Sequence, residues 1–230
     1  MKTYNNLADL TILFLTVNKV PKAWAEYQKQ VLFEAAREAS IITLSKEPLN
    51  WGTNVLQVEP ESLSNIYWQM LKGAKMATTD YIGIAEDDTL YHVEHFEFRP
   101  QPDEFAYNMT HWSLFTWGTP TYSWKDRRGN YSMIAPRKLM IEALEERFAK
   151  YPNGTPDHAT GELGRERVER NLGVTHRKLV QFWTTIPIIN FNHDFSEEKY
   201  QRTHVKRMGA LRAYEVPHWG RAEELVKHFK

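Results

Sequence analysis

Apolar and polar positions change period several times along the chain, and each change marks an element. Leu10 to Val17 (LTILFLTV) is almost unbroken apolar sequence, which predicts a buried strand. Pro21 stands where proline is tolerated, at a helix start. Trp24, Tyr27, Val31 and Ala35 then recur at helical spacing, predicting an amphipathic helix from 21 to about 39. Ile41 to Leu44 reads as a second short strand, followed by a loop with Pro48 and Gly52. Ser62 or Ser64 can cap a helix whose face carries Ile66, Met70, Ala74 and Ala77. Tyr81 to Ala85 is a third strand. Strand, helix, strand, loop, helix, strand is the alternation of an open, mostly parallel α/β sheet with flanking helices.

The second half is less regular, and an irregular C-terminal part is expected. Phe105 to Met109 reads as a strand that Trp112 to Trp117 continues or pairs with. A helix opens at Pro136 with Leu139, Met140, Ala143, Leu144 and Phe148 on its apolar face. Tyr151 to Thr160 is a loop, and a charged helix is expected from Gly161 to Asn171. Val180 to Ile189, broken by Pro187, reads as one edge strand. A short helix closes the chain from Arg221.

With 230 residues, 42% hydrophobic and 25% charged, the chain suits one globular domain and not a disordered tract. It has no cysteine, which excludes disulfides, thiolate metal sites and cysteine nucleophiles. The unbroken apolar runs are too short to cross a membrane, and no cleavage site follows the first strand, so a cytoplasmic protein is expected. The net charge of zero hides an asymmetry: residues 1–115 carry 9 basic and 15 acidic side chains, and residues 116–230 carry 20 and 14. A basic second half suits an anionic ligand, or the two halves neutralise one another across an interface.

Glu86-Asp87-Asp88 is the strongest chemical signal. Three acids stand where a buried strand runs out, the place where ligands bind in parallel α/β sheets. Clustered carboxylates repel one another unless a cation satisfies them; otherwise they form a solvated turn with a helix cap. His193, in Asn190-Phe-Asn-His-Asp, offers an imidazole suited to manganese-class ions, or is a histidine hydrogen-bonded in a loop. Glu162 could take a proton, or belong to a solvated face on which Glu166 and Arg170 pair. Lys199, Arg202, His204, Lys206, Arg207 and Arg212 could clamp a diphosphate, or simply be surface charge. Trp112, Trp117, Tyr122, Trp124, Lys125, Arg127 and Arg128 interleave aromatics with cations, which suits a nucleic acid or a sugar. His92 and His95 form an H-x-x-H pair, the basis of a rival metallohydrolase reading.

The stretch from Ala77 through Glu86-Asp87-Asp88 to Tyr91 resembles the centre of a GT-A glycosyltransferase domain, and Thr16-Val17-Asn18 is similar to that family's first nucleotide-contacting strand end. The resemblance implies a Rossmann-like GT-A fold in one domain, with residues 1–98 binding the nucleotide sugar and 99–230 the acceptor. It implies a divalent cation (Mn²⁺ or Mg²⁺) held by Asp88, with Glu86 in place of the first acid and His193 as a late ligand. Asp87 would lie between Glu86 and Asp88, near the donor sugar or ribose, and take part in catalysis. Thr16, Asn18 and Glu47 would lie near the base and ribose, and Lys206 and Arg207 on the diphosphate. Glu162 would be the base if configuration inverts. The implied reaction moves a sugar from a nucleoside-diphosphate sugar, a UDP-sugar first of all, to an acceptor hydroxyl.

The small size also resembles the viral and base-J-type enzymes that glycosylate a 5-hydroxymethylpyrimidine in DNA. A carbohydrate or lipid-linked acceptor, and a non-catalytic module that binds nucleic acid or glycan, are the alternatives. The sequence departs from the family's pattern in its first acid, in Ser45-Lys46-Glu47 after the second strand, and in Met70-Leu71 where one subfamily has Arg-Asn.

Overall fold

The computed structural model describes residues 6–116, 118–156, 159–193 and 208–229. The chain runs β1 (Leu10–Leu15), α1 (Lys22–Ala36), β2 (Ser40–Ser45), β3 (Thr53–Leu56), α2 (Leu63–Met76), β4 (Tyr81–Glu86), β5 (Thr89–Leu90) and α3 (Val93–Phe96). It continues β6 (Glu104–Asn108), β7 (His111–Phe115), β8 (Tyr122–Trp124), β9 (Met133–Pro136), α4 (Arg137–Lys150), α5 (Glu166–Leu172), β10 (Lys178–Phe182) and β11 (Ile188–Asn192). It ends β12 (Leu211–Ala213), β13 (Glu215–Val216), β14 (Gly220–Arg221) and α6 (Ala222–Leu225).

β1 is buried at every position because it lies inside the large sheet, paired in parallel with β2 on one side and β4 on the other. The sheet has the order β10-β6-β9-β4-β1-β2-β3, and β9 alone runs against its neighbours. Alternate side chains of β1 serve two cores. Leu13 and Leu15 face α2 and α4, while Leu10, Ile12 and Phe14 face the side that holds Leu32 and Ala35 of α1. This is a mixed α/β fold with a mostly parallel sheet and helices on both faces. α2 begins where the Ser62 hydroxyl accepts from Asn65 N, the expected N-cap. It packs closely on β1 at Gly73, where a Cβ would come within 2.7 Å of Leu13.

A second sheet, β12-β8-β7-β11-β5, lies over the end of α1. Leu114, Tyr122, Ile189 and Phe191 pack there with Trp24 and with Leu225 and Phe229 near the C-terminal end.

Four expectations are corrected. β3 was hidden because it is a short edge strand with no buried position. β7 neither continues nor pairs with β6, because it belongs to the second sheet. Val180 to Ile189 is two strands: Pro187 separates edge strand β10 from β11, which is interior to the second sheet. The charged helix starts at Glu166, so Glu162 stands in the segment before it and not at its N-terminus.

Candidate active site

The carboxyl ends of β1 and β4, with Gln57 just after β3, open into a cleft of about 570 Å³. Thr16, Glu86, Asp87, Asp88, Glu162 and His193 all line it. Asn18 and Glu47 line an adjoining cavity of about 360 Å³, which shares Thr16 and Asp87 with the first. Lys206 and Arg207, with Lys199, Arg202 and His204, fall outside the described residues. Arg212 lies on β12 and is exposed.

Asp88 is gripped from the second sheet. Its main-chain oxygen accepts from Phe191 N at 2.7 Å. Its Oδ1 accepts from the Thr89 hydroxyl at 2.9 Å and from Asn190 Nδ2 at 3.0 Å. Its Oδ2 is left facing His193 Nε2 at 3.8 Å. β11 makes this possible by pairing antiparallel with β5, Asn190 opposite Thr89, so that His193 follows into the cleft. Asp87 is turned the other way. Its carboxylate accepts from the Thr16 hydroxyl, and its main-chain oxygen accepts from the Trp24 indole N–H at 2.7 Å. Glu86 N donates to the Tyr91 hydroxyl at 3.1 Å.

Burial and mutual repulsion raise all three acids. Glu86 sits well above the usual carboxylate range, through burial and then the charges of Asp88 and Asp87. Asp87 is pushed up to about 7 by burial and by Asp88, against the Thr16 hydrogen bond. Asp88 is raised by burial and held back by His193 and its hydrogen bonds. Three carboxylates held this close repel one another once ionised, and a bound cation would relieve that repulsion.

The donor set fits a hard or borderline dication. Asp88 Oδ2 and His193 Nε2 converge, and Thr89 and Asn190 orient the carboxylate as second partners do in metal sites. Among the described residues no three His, Asp or Glu side chains gather into a full set. Glu86 lines the same cleft without completing one. A Mg²⁺- or Mn²⁺-type ion commonly takes one or two protein ligands and completes its shell with water and phosphate oxygens.

Basic residues line the same cleft. Glu162 forms a 2.6 Å ion pair with Arg165, and both line the cleft. Arg127 and Arg128 line it as well, a placement the sequence did not reveal. Two of the aromatics in this stretch are tied down. Tyr122 is fully buried, and the Trp124 indole donates to Met109 O at 2.9 Å. Trp117 is outside the described residues. His111 fixes the Arg127 segment: Tyr131 O–H and His111 Nδ1 meet at 3.2 Å, and His111 Nε2 donates to Arg127 O at 2.7 Å. The His92 and His95 pair is structural. His92 accepts from Glu94 N as the cap of α3, while His95 is buried against Phe96. The surface pairing of Glu166 with Arg170 is present at 3.6 Å.

No family model matches the chain, and none of the curated proteins matches it. Solved structures resemble it in architecture. One is a glycosyltransferase involved in glycosylation of the major capsid of PBCV-1, 9% identical over 78% of this chain and 92% of that chain, TM-score 0.47. Another is a mannosyltransferase from Pyrobaculum calidifontis in complex with GDP-Man and Mn²⁺, 8% identical over 84% of this chain and 58% of that chain, TM-score 0.46. A third is a cytidylyltransferase from Leptospira borgpetersenii, 11% identical over 76% of each chain, TM-score 0.46.

Proposed function

We propose that the protein is a metal-dependent glycosyltransferase that moves a sugar from a nucleoside-diphosphate sugar to an acceptor hydroxyl. The observation that carries this reading is the meeting of Asp88 and His193 beside Asp87 and Glu86 at the carboxyl ends of the parallel strands.

Asp88 and His193 would hold the cation, which when bound neutralises charge on the departing diphosphate. Thr89 and Asn190 keep the Asp88 carboxylate in one orientation. Arg127 and Arg128 add positive charge to the same cleft, where negative charge develops as the sugar leaves. Thr16 and the Trp24 indole hold Asp87 still at the floor of the cleft, on the donor side. Glu162 accepts the proton of the attacking hydroxyl, with Arg165 fixing the carboxylate. That role belongs to an inverting reaction.

The acceptor is assigned no further than an alcohol. Of the aromatic groups that suggested a hydroxymethylated DNA base, Tyr122 is buried in the second sheet's core and the Trp124 indole N–H is bonded to Met109 O.

The test is nucleotide release from UDP-, GDP- and other nucleotide sugars with and without Mn²⁺. We expect metal-dependent release that falls more than about 100-fold in Asp88→Asn. Glu162→Gln should keep donor binding and lose transfer. Absence of any metal-dependent nucleotide binding by the wild-type protein would overturn the assignment.

A further inference from the structure

Three side-chain amides form a chain along the cleft wall, and their orientations are fixed. Gln57 Nε2 donates to the main-chain oxygens of Thr16 (3.1 Å) and Leu44 (2.6 Å). Its Oε1 is therefore the acceptor end and receives Asn65 Nδ2 at 3.4 Å. Asn65 Oδ1 in turn receives Gln69 Nε2 at 2.8 Å, and the same Nε2 reaches Glu59 Oε2 at 3.2 Å. Both hydrogens of the Gln69 amide are thus committed, and Gln69 Oε1 is left with no partner. Turning the amide over would bring Oε1 against two acceptors, Asn65 Oδ1 and Glu59 Oε2. Gln69 is 2% exposed, so bulk water does not serve it, yet it lines the cleft. A buried acceptor without a donor is costly and calls for one.

The topology says which part of a ligand is near. Asp88 and His193 fix the phosphate end beyond β4. The amide chain is anchored on Thr16 and Leu44, at the ends of β1 and β2, and Gln57 follows β3, its N–H donating to Ser45 O at 2.8 Å. In the order β4-β1-β2-β3 these anchors lie one to three strands from β4, about 5–14 Å at about 4.8 Å each, and Gln69 reaches them from α2 through Asn65. A nucleoside extends about that far from its diphosphate.

We propose that Gln69 Oε1 reads a hydrogen-bond donor on the nucleoside of the donor substrate, with Gln57 and Asn65 as the positioning residues that hold it in the acceptor role. The proposal rests on the nucleotide-donor reading above. An N–H of the base and an O–H of the ribose share this chemistry.

The experiment is calorimetric binding of nucleoside diphosphates and of pyrophosphate in the presence of Mn²⁺. Gln69→Met, which keeps the length and removes the acceptor, should weaken the best nucleoside diphosphate about 10- to 100-fold and leave pyrophosphate within about twofold. On the wild-type protein, a ring-N-methylated nucleoside diphosphate should lose affinity by a similar factor if the base is read, and a 2′- or 3′-deoxy analogue if the ribose is read. These ligand arms need no variant, so they decide the matter even if Gln69→Met fails to fold. Unchanged affinity of all the analogues, equal losses for pyrophosphate, or a loss in Gln69→Met confined to sugar nucleotides would each overturn the proposal. Wild-type protein that binds no nucleoside diphosphate at all overturns the glycosyltransferase assignment first, and the role of Gln69 falls with it.

Discussion

Burial and Asp88 push the Asp87 carboxyl up to about 7, whereas an unfolded aspartate ionises near 3.8. Between those two values the unfolded chain has released a proton that the folded protein keeps. Asp87's contribution to the stability of the cation-free protein therefore falls as pH rises from about 4 to about 7 and is constant above. Glu86 and Asp88, both raised, act in the same direction. Asp87→Asn is expected to gain about 1–3 kcal/mol over wild type at pH 8 and nothing at pH 4, read from chelated protein in urea. A bound dication favours the ionised carboxylates, so Mn²⁺ affinity of the wild type should rise between pH 6 and pH 8 in a direct titration.

At the scale of elements, two short segments carry constraints out of proportion to their length. The turn into β3 passes through Gly52 at φ 65°, where a Cβ would lie 2.2 Å from Ile41 O. Gly52→Ala should cost about 2–4 kcal/mol, visible as a lower urea midpoint, because both the backbone conformation and the space are denied to it. The segment before α5 is irregular but tied down. The buried Arg147 guanidinium, stacked on Tyr67 at 4.6 Å, donates to Gly161 O at 3.1 Å. Tyr107 donates to Leu163 O at 2.8 Å, and Glu169 Oε1 accepts from Gly164 N at 2.9 Å. Arg147→Met is expected to speed hydrogen exchange at residues 161–165 about tenfold or more, while Glu162→Gln leaves that exchange unchanged.

The sequence showed β1, α1, α2, β4 and α4 because each has either an unbroken apolar run or a full helical stripe. It concealed β3, β5 and β8, which have two to four residues and too little pattern to read. The acids of the site were legible because they end a buried strand. The amides at 57, 65 and 69 were not, since nothing links them until a strand edge and a helix face are brought side by side.

Across the whole molecule, the opposed charge of the two halves meets at one cleft. Glu86, Asp87 and Asp88 come from the acidic half, and Arg127, Arg128 and Arg165, from the basic half, line the same cleft. The halves are not separate bodies. β6, β9 and β10, all from beyond residue 98, complete the sheet begun by β1 to β4.

The tie between Asn190 and Asp88 spans 102 residues of chain. While the protein is being made, the carboxylates leave the ribosome long before the strand that steadies them and the imidazole that follows it. If Asp88 and His193 hold a cation as proposed, a chain that stops before β11 lacks one of the two ligands and the strand that steadies the other. Ion retention would then report that β11 has docked on β5.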